Sequence, residues 1–476
     1  MFSVFSALSA RRRTGRRPGA ARLAAATLTG GIVMAGVLAG AGTAVAEDTP
    51  QSPGGATATI TGLKTYGTAV IRENGEEQQV SAGLFEMSVE GGGMLQTYCV
   101  DLNNPTQRDA RYHETSWSGT SLQGNKDAGR IRWILQNSYP QVNDLAALAK
   151  KAGAAGLTEQ DAAAGTQVAI WRYSDGVDVE ATDSQAEKLA DYLQKSARNL
   201  AEPEASLSLD PPAVSGHTGE RLGPVTVRTN ADSVTLTPPA AATADGVKVV
   251  DDSGKAVTSA ANGSRLYFDV PEKAAAGSAE LTLEASTTVP VGRAFASETR
   301  SQTQILAGSS ESTVSAVASA NWAEKGAIPA LSAKENCAVG GVDIKASNEG
   351  DEPFTFELMG IKHTIDAGTT ETVTVPLQED QPYDFTIRGP NGFEEQIKGV
   401  LDCATETEAA EFGDSVQTLS EPSPATAGAA SASGTDLAET GSSDATLVIA
   451  GVAIALLVVG GGAMLLVRKK KAPTQE

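Results

Sequence analysis

The sequence predicts a multidomain chain: an α+β domain, then two all-β sandwich domains, a linker and a single membrane-spanning helix. Three observations carry this. The hydrophobic period changes from that of strands to that of helices near Ala128. Beyond Pro203, short alternating apolar runs return at intervals of roughly ten to twenty residues. Close to the C-terminus an apolar run from Ala445 to Val467 has about the length that crosses a bilayer as helix.

The first domain is placed at residues 56–202. Ala69-Val70-Ile71, Gly83 to Val89 and Leu95 to Val100 alternate and read as strands. Ala128 to Gln136 puts Ile131, Ile134 and Leu135 on one helical face. A second helix is expected over Asp144 to Lys151. A third is capped by Thr158, with Asp161 at the capping-box spacing, and passes through Trp171 to end near Asp175-Gly176. A fourth covers Ser184 to Asn199.

The second domain is placed at residues 203–323. The runs Val225 to Val227, Val234 to Leu236, Val247 to Val250, Leu266 to Val270 and Ala279 to Leu283 have the signature of an immunoglobulin-like sandwich. A second sandwich with a disulfide is placed at residues 324–403. Residues 404–436 are rich in Ala, Ser, Thr, Pro and Glu and read as a disordered wall linker.

The ends read as targeting signals. Arg11, Arg12, Arg13, Arg16, Arg17 and Arg22 precede an apolar stretch, and Ala44-Val45-Ala46 supplies small residues at a cleavage site. Residues 1–46 therefore read as a secretory signal peptide of the general route. At the other end, Leu437-Ala438-Glu439-Thr440-Gly441 precedes the 445–467 span and a basic tail at 468–476. This order resembles the LAxTG form of the LPxTG sortase sorting signals, a form found in actinobacteria. The resemblance implies cleavage between Thr440 and Gly441, joining of Thr440 to peptidoglycan, and membrane contact only through the C-terminal helix before sorting.

The chain has 476 residues with 37 Lys plus Arg against 58 Asp plus Glu, a net charge of −21. Both processing steps would remove clustered positives and leave it more acidic. Such a surface excludes nucleic-acid binding, which needs a basic face. It favours solubility and self-repulsion along a stalk. With 3 His and 3 Cys, neither a metal centre nor a cofactor is expected.

Cys337 and Cys403 bracket the third domain and are expected to pair in an oxidising compartment. That leaves Cys99 alone. A buried inert thiol, an intermolecular disulfide and a reactive group all remain open on this count.

The neighbouring residues bear on the choice. Tyr98-Cys99-Val100-Asp101 sits on a strand, Leu135-Gln136-Asn137 closes a helix, and Thr166-Gln167-Val168-Ala169-Ile170-Trp171 lies on the next helix but one. In this order the three segments resemble the motifs of the bacterial thioester domains of Gram-positive surface proteins, also called TQxA domains. The resemblance covers about a third of the chain. It implies an internal thioester between Cys99 and Gln167, formed when the sulfur attacks the carboxamide carbon and expels ammonia. Only Cys supplies the thiolate, and only Gln a carbonyl with ammonia as leaving group. The resemblance gives supporting places to Tyr98, Gln136, Thr166, Ala169 and Trp171. Gln136 competes for the acyl role, which the family pattern gives to Gln167; Gln136 is expected to hydrogen-bond beside the bond. Ala163 and Ala164 are expected to admit the Cys99 strand.

The expected function is a covalent adhesin, not an enzyme. An amine on an unidentified surface or protein ligand attacks the Gln167 carbonyl, and sortase and peptidoglycan hold the base. The alternative is a non-covalent binding or structural wall protein with a buried Cys99. A third reading is a cysteine hydrolase using Cys99 and His113. Lys248 and Lys345 are candidates for isopeptide clamps, but no motif selects them.

Overall fold

The computed structural model describes residues 54–404, except 74, 239 and 245. The expected signal peptide, sorting motif, membrane span and basic tail, and all but the first residue of the linker, lie outside them. Among the described residues no helix is long and apolar enough to cross a membrane.

The first domain opens with two long strands, β1 (Thr57–Glu73) and β2 (Glu76–Val89), followed by β3 (Met94–Cys99) and β4 (Arg111–Thr115). A helical lobe follows: α1 (Ala128–Asn137), α2 (Leu145–Ala152), α3 (Glu159–Ser174), the short strand β5 (Asp178–Ala181) and α4 (Ser184–Ser196). The expected strands and helices are all present. The Thr158 capping box is complete: Thr158 Oγ1 accepts from the Asp161 amide, and an Asp161 carboxylate oxygen accepts from the Thr158 amide.

The second domain runs through β6 (Leu207–Asp210), β7 (Ala213–His217), β8 (Arg221–Thr229), β9 (Val234–Thr237), the short helix α5 (Ala240–Ala244), β10 (Lys248–Val250), β11 (Ser259–Ala260), β12 (Arg265–Asp269) and β13 (Gly277–Thr288). The hairpin β14 (Ala294–Ser297) and β15 (Gln304–Ser309) follows, and β16 (Glu311–Ala323) closes the domain. One sheet has the order β10-β12-β8-β6 and the other β11-β9-β13-β16-β7, with β7 and β16 parallel. Val225, Val227, Leu266 and Phe268 of the first sheet and Val234, Leu236, Leu281 and Leu283 of the second are buried in a core continuous with that of the first domain. Lys248 and Lys345 are exposed, which does not suit a clamp made in a dry core.

The β14–β15 hairpin leaves its own domain. The sequence reading gave these residues to the 203–323 sandwich, yet β15 pairs with β3 and β14 with β4. The resulting order is β2-β3-β15-β14-β4-β1, and β1 pairs again with β2. The sheet therefore closes into a barrel whose wall is completed by strands about two hundred positions later in the chain. Such pairing leaves no trace in local alternation, because any edge-competent strand has the same period.

The third domain is smaller than the sandwich expected of it. It holds a sheet of β17 (Pro329–Asn336), β18 (Gly341–Asn348) and β21 (Thr369–Pro376), with the hairpins β19 (Phe354–Leu358)–β20 (Ile361–Ile365) and β22 (Pro382–Arg388)–β23 (Glu394–Val400). Val342, Ile344, Phe354 and Phe356 form its separate core. Cys337 and Cys403 are disulfide-bonded across 66 positions. In the chain-entropy account a closed loop of that size stabilises the fold by about 4 kcal/mol. The Cys337 amide also donates to the Ser118 carbonyl at 3.0 Å, so this domain docks on the first.

Candidate functional site

Cys99 ends β3, and Gln167 lies midway along α3. Nearly all of α3 from Ala162 to Trp171 is buried, as expected of a helix without a polar face. Small residues bring it close to its surroundings. A Cβ on Gly165 would stand 2.4 Å from the Ala186 carbonyl of α4, and one on Gly67 of β1 would stand 3.0 Å from the Ala164 side chain. Ala164 therefore seats the helix on β1, where the sequence reading had it admit the Cys99 strand.

This seating places the Gln167 side chain against Cys99. The Cys99 amide donates to Gln167 Oε1 at 3.0 Å, and Gln167 Nε2 donates to the Cys99 carbonyl at 2.9 Å. Cys99 is 3% exposed and Gln167 fully buried. The carboxamide is thus clamped from both ends by the backbone of the residue carrying the thiol, with 68 positions of chain between them. A small cavity beside the pair is lined by Ser81, Phe85, Thr106, Gln167, Trp171 and Gln302 among others.

The arrangement suits acyl chemistry. Burial pushes the Cys99 thiol up from its ordinary value, while the hydrogen bond from the Gln304 amide pulls it down. Attack of sulfur on the Gln167 carboxamide carbon would form a thioester and release ammonia. The Cys99 amide faces Gln167 Oε1, where it would donate to the oxyanion of such an intermediate.

The supporting residues divide. Tyr98 is fully buried, and its hydroxyl donates to the Tyr139 carbonyl at 2.9 Å. The Thr166 hydroxyl donates to the Ala162 carbonyl and contacts Ser138 Oγ, both at 2.6 Å, tying α3 to the end of α1. Ala169 is fully buried, and Trp171, 2% exposed, lines the cavity. Gln136 corrects the sequence reading. It is exposed on α1, because the 3.6-residue period that buries Ile131, Ile134 and Leu135 turns the next position outward. The amide next to the sulfur belongs instead to Gln304, which lies opposite Cys99 in the β3–β15 ladder.

His113 does not pair with Cys99. It lies on β4, three strand steps from β3 through β15 and β14, on the opposite face from its neighbour Tyr112, whose hydroxyl reaches Ser301 and Gln302. Burial and the neighbouring Arg111 lower its pKa to about 4.

A group of buried acids adjoins the site. Asp101 is 1% exposed and Asp402 7% exposed. Burial raises both above the ordinary carboxylate range, with repulsion from Asp402 and Asp175 adding at Asp101 and from Glu379 and Asp380 at Asp402. Asp175, whose Oδ1 accepts from the Leu102 amide at 2.8 Å, is pushed up by burial to about 7. A carboxyl whose folded pKa is raised binds its proton more tightly in the folded state. Its contribution is greatest below the unfolded value of about 4 and is lost as pH rises through the folded value. The urea midpoint is therefore expected to fall between pH 5 and pH 8, and Asp101→Asn with Asp402→Asn to flatten that slope. A midpoint that rises over this range contradicts the assignment.

Residues 96–199 match the family described as Thioester domain, and a thioester domain accordingly lies in this part of the chain. Residues 329–400 match the family described as Bacterial phospholipase C, C-terminal domain, so the third domain is similar to that module. No curated protein matches the chain. Among solved structures, the Bacillus anthracis TIE protein is 14% identical, with 73% of this chain and 63% of that one covered at a TM-score of 0.26. The thioester domain of the Enterococcus faecium TIE86 protein is 17% identical, with 56% of this chain and 97% of that one covered at a TM-score of 0.27. The chain thus spans less than two thirds of the length of the B. anthracis protein. Neither likeness is close enough to carry an argument about function.

Proposed function

We propose that the protein is a wall-anchored surface adhesin that attaches covalently to a target amine through a Cys99–Gln167 thioester. The clamped Gln167 carboxamide, held against Cys99 in a buried site, is the observation that carries this reading. A primary amine attacks the Gln167 acyl carbon, the C–S bond breaks, and the proton lost by nitrogen ends on the Cys99 sulfur. The products are an amide to the target and a free thiol. Nothing regenerates the thioester, so the chemistry is used once and the protein is not an enzyme. The position of His113 favours this over a Cys–His hydrolase. In the same proposal the second domain, read as immunoglobulin-like, and the third raise the thioester domain. The signal peptide exports the chain, and sortase cleaves after Thr440 and joins it to peptidoglycan. A covalent link resists shear that defeats non-covalent contacts.

Methylamine tests the chemistry. Wild-type protein is expected to incorporate it at Gln167 and release one thiol at Cys99 in the same step. Cys99→Ala and Gln167→Ala are each expected to abolish incorporation while keeping a cooperative melt. Labelling that persists in Gln167→Ala sinks the assignment. A wild-type Cys99 that stays free with Gln167 unmodified leaves the non-covalent reading, which the burial of an unpaired Cys99 favours.

A further inference from the structure

We infer that Gln304, carried by the second domain's hairpin and outside the segment that matches the thioester-domain family, holds and stabilises the reacting sulfur of Cys99. The inference rests on the thioester reading above and deepens it. Gln304 is fully buried. Its Nε2 donates to Cys99 Sγ at 3.4 Å, and its Oε1 accepts from the Thr97 hydroxyl at 2.9 Å. The Thr97 contact anchors the far end of the amide. The backbone fixes the rest, because Gln304 and Cys99 are direct partners in the β3–β15 ladder. A one-residue slip in that register would turn the amide to the opposite face of the sheet.

The sulfur needs such a donor. When an amine opens the thioester, the electron pair of the C–S bond passes to Cys99 Sγ before a proton reaches it. Cys99 is 3% exposed and burial pushes its thiol up from the ordinary value, so the developing anion has little water to meet. A fixed amide N–H gains strength in these surroundings and costs no reorganisation as charge appears. Gln304 transfers no proton; it stabilises the leaving sulfur as the Cys99 amide stabilises the acyl oxygen. The hairpin therefore supplies the donor that faces the leaving group, and the reactive site is shared between two domains.

The test is methylamine opening of the full chain in Gln304→Met, which keeps bulk and removes the donor, and in Thr97→Val, which releases the amide from its anchor. Both are compared with wild type by intact mass, thiol release and thermal melt. With melting unchanged, the rate is expected to fall roughly tenfold to a hundredfold in Gln304→Met, less than for a donor to oxygen because sulfur accepts weakly. Thr97→Val is expected to fall between the two. Wild-type rates in both variants overturn the inference while leaving the thioester reading intact; a wild type that shows no ammonia loss overturns the thioester reading itself. If Gln304→Met folds without forming the thioester, the alkylation of Cys99 against pH decides. A midpoint above that of Gln167→Ala supports the role, and an equal midpoint overturns it. If Gln304→Met does not fold, the Thr97→Val rate alone decides in the same way.

Discussion

A fragment of residues 54–202, cut where the first domain ends in sequence, is expected not to fold and to show no thioester. The cut removes β14 and β15 and leaves β3 and β4 as two unpaired edges in the barrel wall. Phe295, Ile305 and Leu306 are fully buried in the intact chain, and three such side chains together contribute roughly 5–9 kcal/mol. That is comparable with the whole stability of a typical domain. The open edges also invite strand pairing between molecules. The cut takes Gln304 from the sulfur as well. Circular dichroism and intact mass of the fragment, against residues 54–323, check both consequences. A fragment 54–202 with a cooperative melt and the ammonia loss of the longer chain would show that the hairpin is dispensable.

Glu114→Ala is expected to destabilise the protein by about 3–5 kcal/mol, the range for removing one partner of a buried ion pair. The Glu114 side chain is fully buried and that of Arg293 6% exposed, with Arg293 Nε donating to Glu114 Oε1 at 2.8 Å. The same carboxylate accepts from the amides of Ala56 and Ser206 at 3.2 and 2.9 Å, and from the Ser206 hydroxyl. One carboxylate thus joins four places in the fold: the chain entering β1, the strand β4, the approach to β6, and the residue that starts the hairpin. Arg293 reaches Glu202 as well, at 2.8 Å. Removing the acid takes one of the buried guanidinium's two carboxylate partners and strands two backbone donors. Urea unfolding of Glu114→Ala, with Glu114→Gln beside it, measures the loss. A change below about 1 kcal/mol in the alanine variant would mean that this junction contributes little.

Much of this architecture was legible in the sequence, and the gaps have physical causes. Helix α3 announced itself through the Thr158–Asp161 cap, and β1 to β3 through their alternation. Cys99 and Gln167 emerged from a resemblance in motif order, and the structure brings them into hydrogen-bonding contact. The pairing of Cys337 with Cys403 followed from their places at the two ends of a domain. What escaped was long-range. Residues 294–309 fall by position in the domain around them, since local pattern says which face is buried but not which sheet receives it. Gln304 escaped with them, although the buried polar run Ser301, Gln302, Thr303 and Gln304 stands before Ile305 and Leu306 as an unusual block in a β pattern. Gln136 was misassigned against information already present: once Ile131, Ile134 and Leu135 define the inner face of α1, position 136 points outward.

The mass of the freshly purified, disulfide-intact protein bears most directly on the central claim. A Cys99–Gln167 thioester predicts a chain lighter by one ammonia than the sequence with one disulfide, with the loss mapped to the crosslinked pair of peptides carrying these residues. It also predicts that Cys99 resists alkylation until a small amine is added. A full-mass chain, with a free thiol at Cys99 and an intact carboxamide at Gln167, would contradict the account.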